Sequence, residues 1–133
     1  MKLGFTGTRK GLSLYQVNQL KLLLAELKPT RCIHGDCVGA DAMFHDLVRE
    51  CCPTADILIW PSDLETQRAF KKGDIVQLPA PPLTRNHMIV IDSDHMIACP
   101  GGTVEVLRSG TWSTIRDAKK WKKKLTIIYP SEQ

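Results

Sequence analysis

Asp36, Asp41, Arg85 and Glu105 are the residues of this chain best suited to acid–base or charge-stabilising chemistry, and the three carboxylates lie in glycine-bearing loops. Those loops read Gly7-Thr8-Arg9, His34-Gly35-Asp36-Cys37-Val38-Gly39-Ala40-Asp41, and Pro100-Gly101-Gly102 with Ser109-Gly110-Thr111. Each follows a short apolar run and precedes an expected helix. Glycine lets backbone come close to a ligand, and a helix start offers unpaired N–H groups to an anion. Three such loops on one short chain point to a pocket for a phosphate-bearing small molecule.

Each residue has a plainer reading beside this one. Gly110, Thr111 and the following N–H groups suit a phosphate, although Ser109 or Thr111 also suits a simple helix cap. Gly7, Thr8 and Arg9 suit a second phosphate or a ribose, or a tight turn with an exposed arginine. Asp36 and Asp41 suit ribose hydroxyls or proton transfer. Alternatively, Asp36 steadies its loop and Asp41 favours the first turn of a helix. Arg85 suits a phosphate or a developing charge, or a surface ion pair. Glu105 is the carboxylate of the third loop and the natural partner for glycosidic chemistry, which needs a negative group beside an oxocarbenium-like centre. Trp112 could stack on a base, but its helical spacing with Ile115 favours core packing. Arg68, Lys71 and Lys72 could form a lid, or simply be solvated.

No metal or cofactor is expected. Asp41 and His45 share a helix face, a spacing that serves a surface or core pair as well as a metal. The five cysteines lack paired ligand spacing and read as reduced core thiols.

These residues need elements to hold them. Strands are expected at Lys2–Thr6, Arg31–His34, Ala55–Trp60, His95–Cys99 and Leu125–Tyr129. Helices are expected at Ser13–Leu27, where Ser13 and Gln16 form a capping box, and at Gly39–Cys51, Thr84–Ile91 and Gly110–Lys123. Residues 61–83 show no periodicity beyond a helical turn near Glu65–Lys71, and long irregular segments are commonly functional. Alternation of strand and helix predicts one α/β domain over residues 1–133, an open, mainly parallel five-stranded Rossmann-like sheet with helices on both faces. A doubly wound strand order of 3-2-1-4-5 would gather the glycine loops at the switch point, where such sheets bind ligands.

Composition excludes other classes. Hydrophobic residues make up 43% and charged residues 24%, which is ordinary for a globular protein. No run approaches the roughly 18 apolar residues of a membrane span, and the N-terminus lacks a signal-peptide pattern, so a cytoplasmic protein is expected. The net charge of +4 comes largely from Lys119 to Lys124, which read as a solvated helix end. Nucleic acid is therefore possible as a partner but not favoured.

At these residues the sequence resembles the SLOG superfamily, which includes LOG-type nucleotide phosphoribohydrolases, DprA and YspA-like proteins. The marks are Gly4-Phe5-Thr6-Gly7-Thr8-Arg9, His34-Gly35-Asp36 with Gly39-Ala40-Asp41, Thr84-Arg85-Asn86, and Pro100-Gly101-Gly102 with Ser109-Gly110-Thr111. The resemblance implies a nucleotide or nucleotide-derived ligand, bound at the strand ends by a sensor or sponge, and a homo-oligomer. It also implies an alternative, N-glycosidic hydrolysis, with Arg85 at the family's arginine; Glu105 and Asp36 are the carboxylates this sequence offers for the other catalytic roles. DprA-like binding of single-stranded DNA is a further alternative. LOG enzymes use an unbroken Pro-Gly-Gly-x-Gly-Thr-x-x-Glu run. Here Thr103 to Ser109 interrupt it, and Thr114 stands where the family has glutamate.

Overall fold

Parallel strands and helices alternate along the chain in the computed structural model, which describes residues 1–133. In order they are β1 (Lys2–Gly7), α1 (Leu14–Leu27), β2 (Arg31–His34), α2 (Ala40–Cys51), β3 (Asp56–Ile59), β4 (Ile75–Val76), α3 (Pro82–Asp92), β5 (His95–Cys99), α4 (Gly110–Lys120) and β6 (Lys124–Ile127). The sheet runs β4-β3-β2-β1-β5-β6, and every adjacent pair is parallel. This is the expected order with one strand added at an edge. Six strands replace the expected five because β4 is two exposed residues inside the segment without periodicity. So short a strand leaves no pattern in the sequence.

The core follows from alternation along the strands. Leu3, Phe5, Cys32, Ile57, Ile59, Ile97 and Cys99 face α1 and α2 on one side of the sheet. Ile33, Leu58, Met96 and Ala98 face α3 and α4 on the other. Because both faces are covered, β5 is buried at all five of its residues. Phe5 stacks on Phe44 with ring centroids 4.2 Å apart, which ties α2 to the centre of the sheet.

Helix ends follow local chemistry. Ser13 caps α1, and its reciprocal bond with Gln16 completes the expected capping box. Ser109 caps α4 by accepting from the Trp112 N–H. Lys119 and Lys120 fall in the last turn of α4, where they complement the dipole. Trp112 packs with Ala98 and Ile115, so it serves the core rather than a ligand base. The third helix begins at Pro82, two residues before the expected start at Thr84. Proline suits this first helical position because its missing N–H has no partner there anyway.

Residues 61–81 are more structured than expected. Glu65–Gln67 form one 3-10 turn, shorter than the helical turn expected over Glu65–Lys71. The Val38 N–H then donates to the Gln67 carbonyl, and the Ala69 N–H donates to the Asp36 carbonyl at 2.7 Å. Ser62 bridges to Ala80, and Cys37 to Arg68. The segment is thus fastened to the loop after β2. All five cysteines are free thiols, and burial pushes Cys32 up to about 12. No helix is long and apolar enough to cross a membrane.

Candidate ligand-binding cleft

Chain order reverses between β1 and β5, and a cleft of about 250 Å³ opens beyond the C-terminal ends of these strands. Gly7, Thr8 and Arg9 line it from the first loop, and Gly35 and Asp41 from the second. Arg85 reaches it from α3, and Ser109, Gly110 and Thr111 from the start of α4. Most of the ligand-binding candidates thus converge on one cavity.

The Arg85 guanidinium is the dominant charge of this cleft. The residue is only 4% exposed, yet none of the chain's ion pairs includes it. One terminal nitrogen donates to the Gly35 carbonyl, and the other to the Cys37 sulfur at 3.3 Å. Its Nε is buried without a partner. A buried cation served only by neutral acceptors is costly unless an anion joins it. Gly35 makes the placement possible, because a Cβ there would lie 2.2 Å from the guanidinium.

Two N–H groups belong to residues that line the same cleft. Ser109 satisfies the Trp112 N–H, whereas those of Gly110 and Thr111 bond to no protein group. The start of α4 therefore presents free donors and a positive dipole end beside Arg85 and the exposed Arg9. Thr114 does not face a ligand in glutamate's place. It is buried, and its hydroxyl donates back to the Gly110 carbonyl at 2.9 Å.

Asp41 is the carboxylate of the cleft. Its Oδ2 accepts from the Gly35 N–H at 3.2 Å and the Cys37 N–H at 3.1 Å. Burial raises its pKa to about 6, and the Cys37 N–H bond and the Arg85 charge oppose the rise. Burial also pushes the Cys37 thiol up, helped by Asp41 and opposed by Arg85.

Other candidates lie elsewhere. Asp36 is fully buried, but its carboxylate accepts from Arg68 Nε at 3.1 Å and the Lys71 N–H at 2.9 Å, and it does not line the cleft. Glu105 sits on the exposed third loop in an ion pair with Arg116 at 2.9 Å. Gly101 and Gly102 are exposed and do not line the cleft, although Gly101 runs close to Thr8. Gly39 works from behind, with φ at +90° and its backbone against Arg9. No group of three or more His, Cys, Asp or Glu comes together around Asp41 and His45. Instead His45 Nδ1 lies 2.9 Å from His34 Nε2, and the Asp36 N–H donates to His34 Nδ1. His34 is pushed down to about 3 by burial and then by His45.

Sequence reasoning missed Cys37, Gln67 and Asn86 as lining residues. Cys37 and Asn86 stood inside motifs already singled out, so motif membership could have flagged them. Gln67 carried no signal, because only the folded path of residues 61–81 delivers it.

No protein-family model and no curated protein sequence matches the chain. Solved structures do. A molybdenum cofactor binding protein from Rippkaea orientalis superposes with a TM-score of 0.74 at 20% identity, over 98% of this chain and 77% of the other. DNA processing protein A from Helicobacter pylori, described for its single-stranded DNA binding mode, gives 0.63 at 20% identity, over 96% of this chain and 64% of that one. TM1055 gives 0.62 at 18%, over 93% and 71%. The chain thus spans somewhat under two thirds of the DNA processing protein. At 18–20% identity the likeness shows the fold, a Rossmann-like α/β domain.

Proposed function

We propose that the chain binds a nucleotide or nucleotide-derived small molecule by its phosphate in this cleft, as a sensor or sponge, and does not cleave it. The supporting observation is Arg85, a buried guanidinium in no ion pair, which lines the same cleft as the free N–H groups that open α4. A phosphate would meet donors from both and relieve the unpaired charge. Neighbours named for a cofactor and for single-stranded DNA fit a ligand-binding role for the fold.

Hydrolysis of an N-glycosidic bond is the weaker reading. Asp36 is committed to Arg68 and Lys71, Glu105 to Arg116, and Thr114 to the helix backbone. Asp41 alone is left in the cleft to supply a carboxylate. DNA binding through the lysine run has less support still. Lys123 bonds to the Ile91 and Ser93 carbonyls, at the end of the sheet opposite the cleft. Five free thiols fit a reducing compartment such as the cytoplasm. Self-association remains a proposal of the resemblance, tested by light scattering of the purified chain.

Calorimetry with the four common ribonucleoside monophosphates and inorganic phosphate tests the main reading, alongside chromatography for released base. We expect binding without turnover, weakened about tenfold or more in Arg85→Gln and several-fold in the exposed Arg9→Ala. Absence of binding at millimolar ligand overturns it, and base release restores the hydrolase.

A further inference from the structure

The phosphate accounts for the donors of the cleft but not for its acceptors. All of Asp41's hydrogen bonds in the protein fall on Oδ2, and Oδ1 has none. The side-chain oxygen of Gln67, a second lining residue, is buried without a partner. The two are close along the second loop: Asp41 accepts from the Cys37 N–H, and the Gln67 carbonyl accepts from the next, that of Val38. Both are held in place. Two N–H bonds fix the carboxylate, while Asp36 clamps the Gln67 segment through Arg68, Ala69 and Lys71. Asp36 is therefore a positioning residue for Gln67.

A buried amide oxygen without a partner and a carboxylate oxygen left free in the same cleft call for a ligand that brings more than one donor. Nucleobase edges mix donors with acceptors, which matches two acceptors poorly. A ribose diol offers two rotatable O–H donors on adjacent carbons, a few bonds from its 5-phosphate. Resting on the phosphate-binding reading above, we infer that Asp41 and Gln67 form a diol-reading subsite, and that the cleft selects ribose phosphates over their 2-deoxy counterparts. Loss of one hydroxyl leaves one of these acceptors unpaired, a defect that polar sites discriminate strongly.

Sugar phosphates test this without knowledge of the base. Ribose 5-phosphate, 2-deoxyribose 5-phosphate and inorganic phosphate are titrated into the full chain by calorimetry. Ribose 5-phosphate is expected to bind about tenfold more tightly than the deoxy sugar. Gln67→Ala and Asp41→Asn, the latter turning an acceptor toward a donor, are expected to bring the ratio near one. A purely structural role would weaken both sugars equally and leave the ratio intact. Should Asp41→Asn fail to fold, Gln67→Ala decides, since it lies on a partly exposed 3-10 turn. Equal binding of the two sugars by the wild-type chain, or a ratio preserved in Gln67→Ala, overturns the diol site and leaves the phosphate cleft standing. If none of the three probes binds, the phosphate cleft falls and the diol site with it.

Discussion

Arg85 is held by two carbonyls and a sulfur, and the nearer carbonyl, that of Gly35, belongs to a residue with no side chain to obstruct it. Gly35→Ala should therefore act on the ligand through Arg85. A methyl placed 2.2 Å from the guanidinium must displace it. Phosphate-ligand affinity is expected to fall about tenfold or more by calorimetry, with roughly 1–3 kcal/mol of stability lost to overpacking. Unchanged affinity would mean that the guanidinium is not the anion's partner. At this scale the sequence was readable where residue type decided the role. Arg85 and Asp41 stood in suggestive positions and both line the cleft. Asp36 was not readable, because its φ of +60° sends the side chain toward residues 68–71, a turn that spacing does not reveal. Glu105 was a similar case, since its partner Arg116 lies on the helix that follows its loop.

Loops here are positioned by other loops as much as by the sheet. Gly39 has φ at +90°, and a Cβ there would lie 2.3 Å from the Arg9 carbonyl. Gly39→Ala is expected to cost roughly 2 kcal/mol or more, read as a lowered urea midpoint, because strain and collision coincide. Asp36→Ala removes the clamp on the 64–71 segment and leaves Arg68, whose side chain is 15% exposed, without its carboxylate. Hydrogen exchange should then quicken at the Lys71 amide, which loses its acceptor, while β1 and β5 stay protected. If that amide remains slow, the segment is held by something other than the Asp36 carboxylate. Most elements were legible because apolar runs and helical stripes are long enough to show a period. β4 was not, since two residues have no period, and α3 was placed late because Thr84 looks like a cap while Pro82 does the work of starting the helix.

The order of the whole sheet could be anticipated, because right-handed crossovers and strand–helix alternation leave few alternatives. What could not be anticipated is the titration of the interior. His34 is pushed down to about 3 by burial and by His45, against 6.5 for an unperturbed histidine. In that window the unfolded chain binds more protons, so stability falls as pH drops through it. His45 and His95, both lowered by burial, add to the loss. Asp41 acts oppositely: raised from 3.8 to about 6, it binds more protons in the folded state between those values, so acid relieves its burial. The histidines prevail in number, and the unfolding free energy from urea titration is expected to be lower at about pH 5 than at about pH 7.5, by on the order of 1 kcal/mol, with a lower midpoint. A midpoint that rises in acid would show that Asp41 dominates. Arg85 bears on the whole molecule in another way. A ligand that neutralises it binds only the folded chain, and at a hundredfold excess over its dissociation constant adds about 2.7 kcal/mol to stability. Melting temperature should therefore climb with ligand concentration, and much less so in Arg85→Gln. In a cell, proteases act on whatever fraction is transiently open. Chains left empty would be degraded faster than filled ones, so the amount of this protein that survives would itself keep count of the ligand supply.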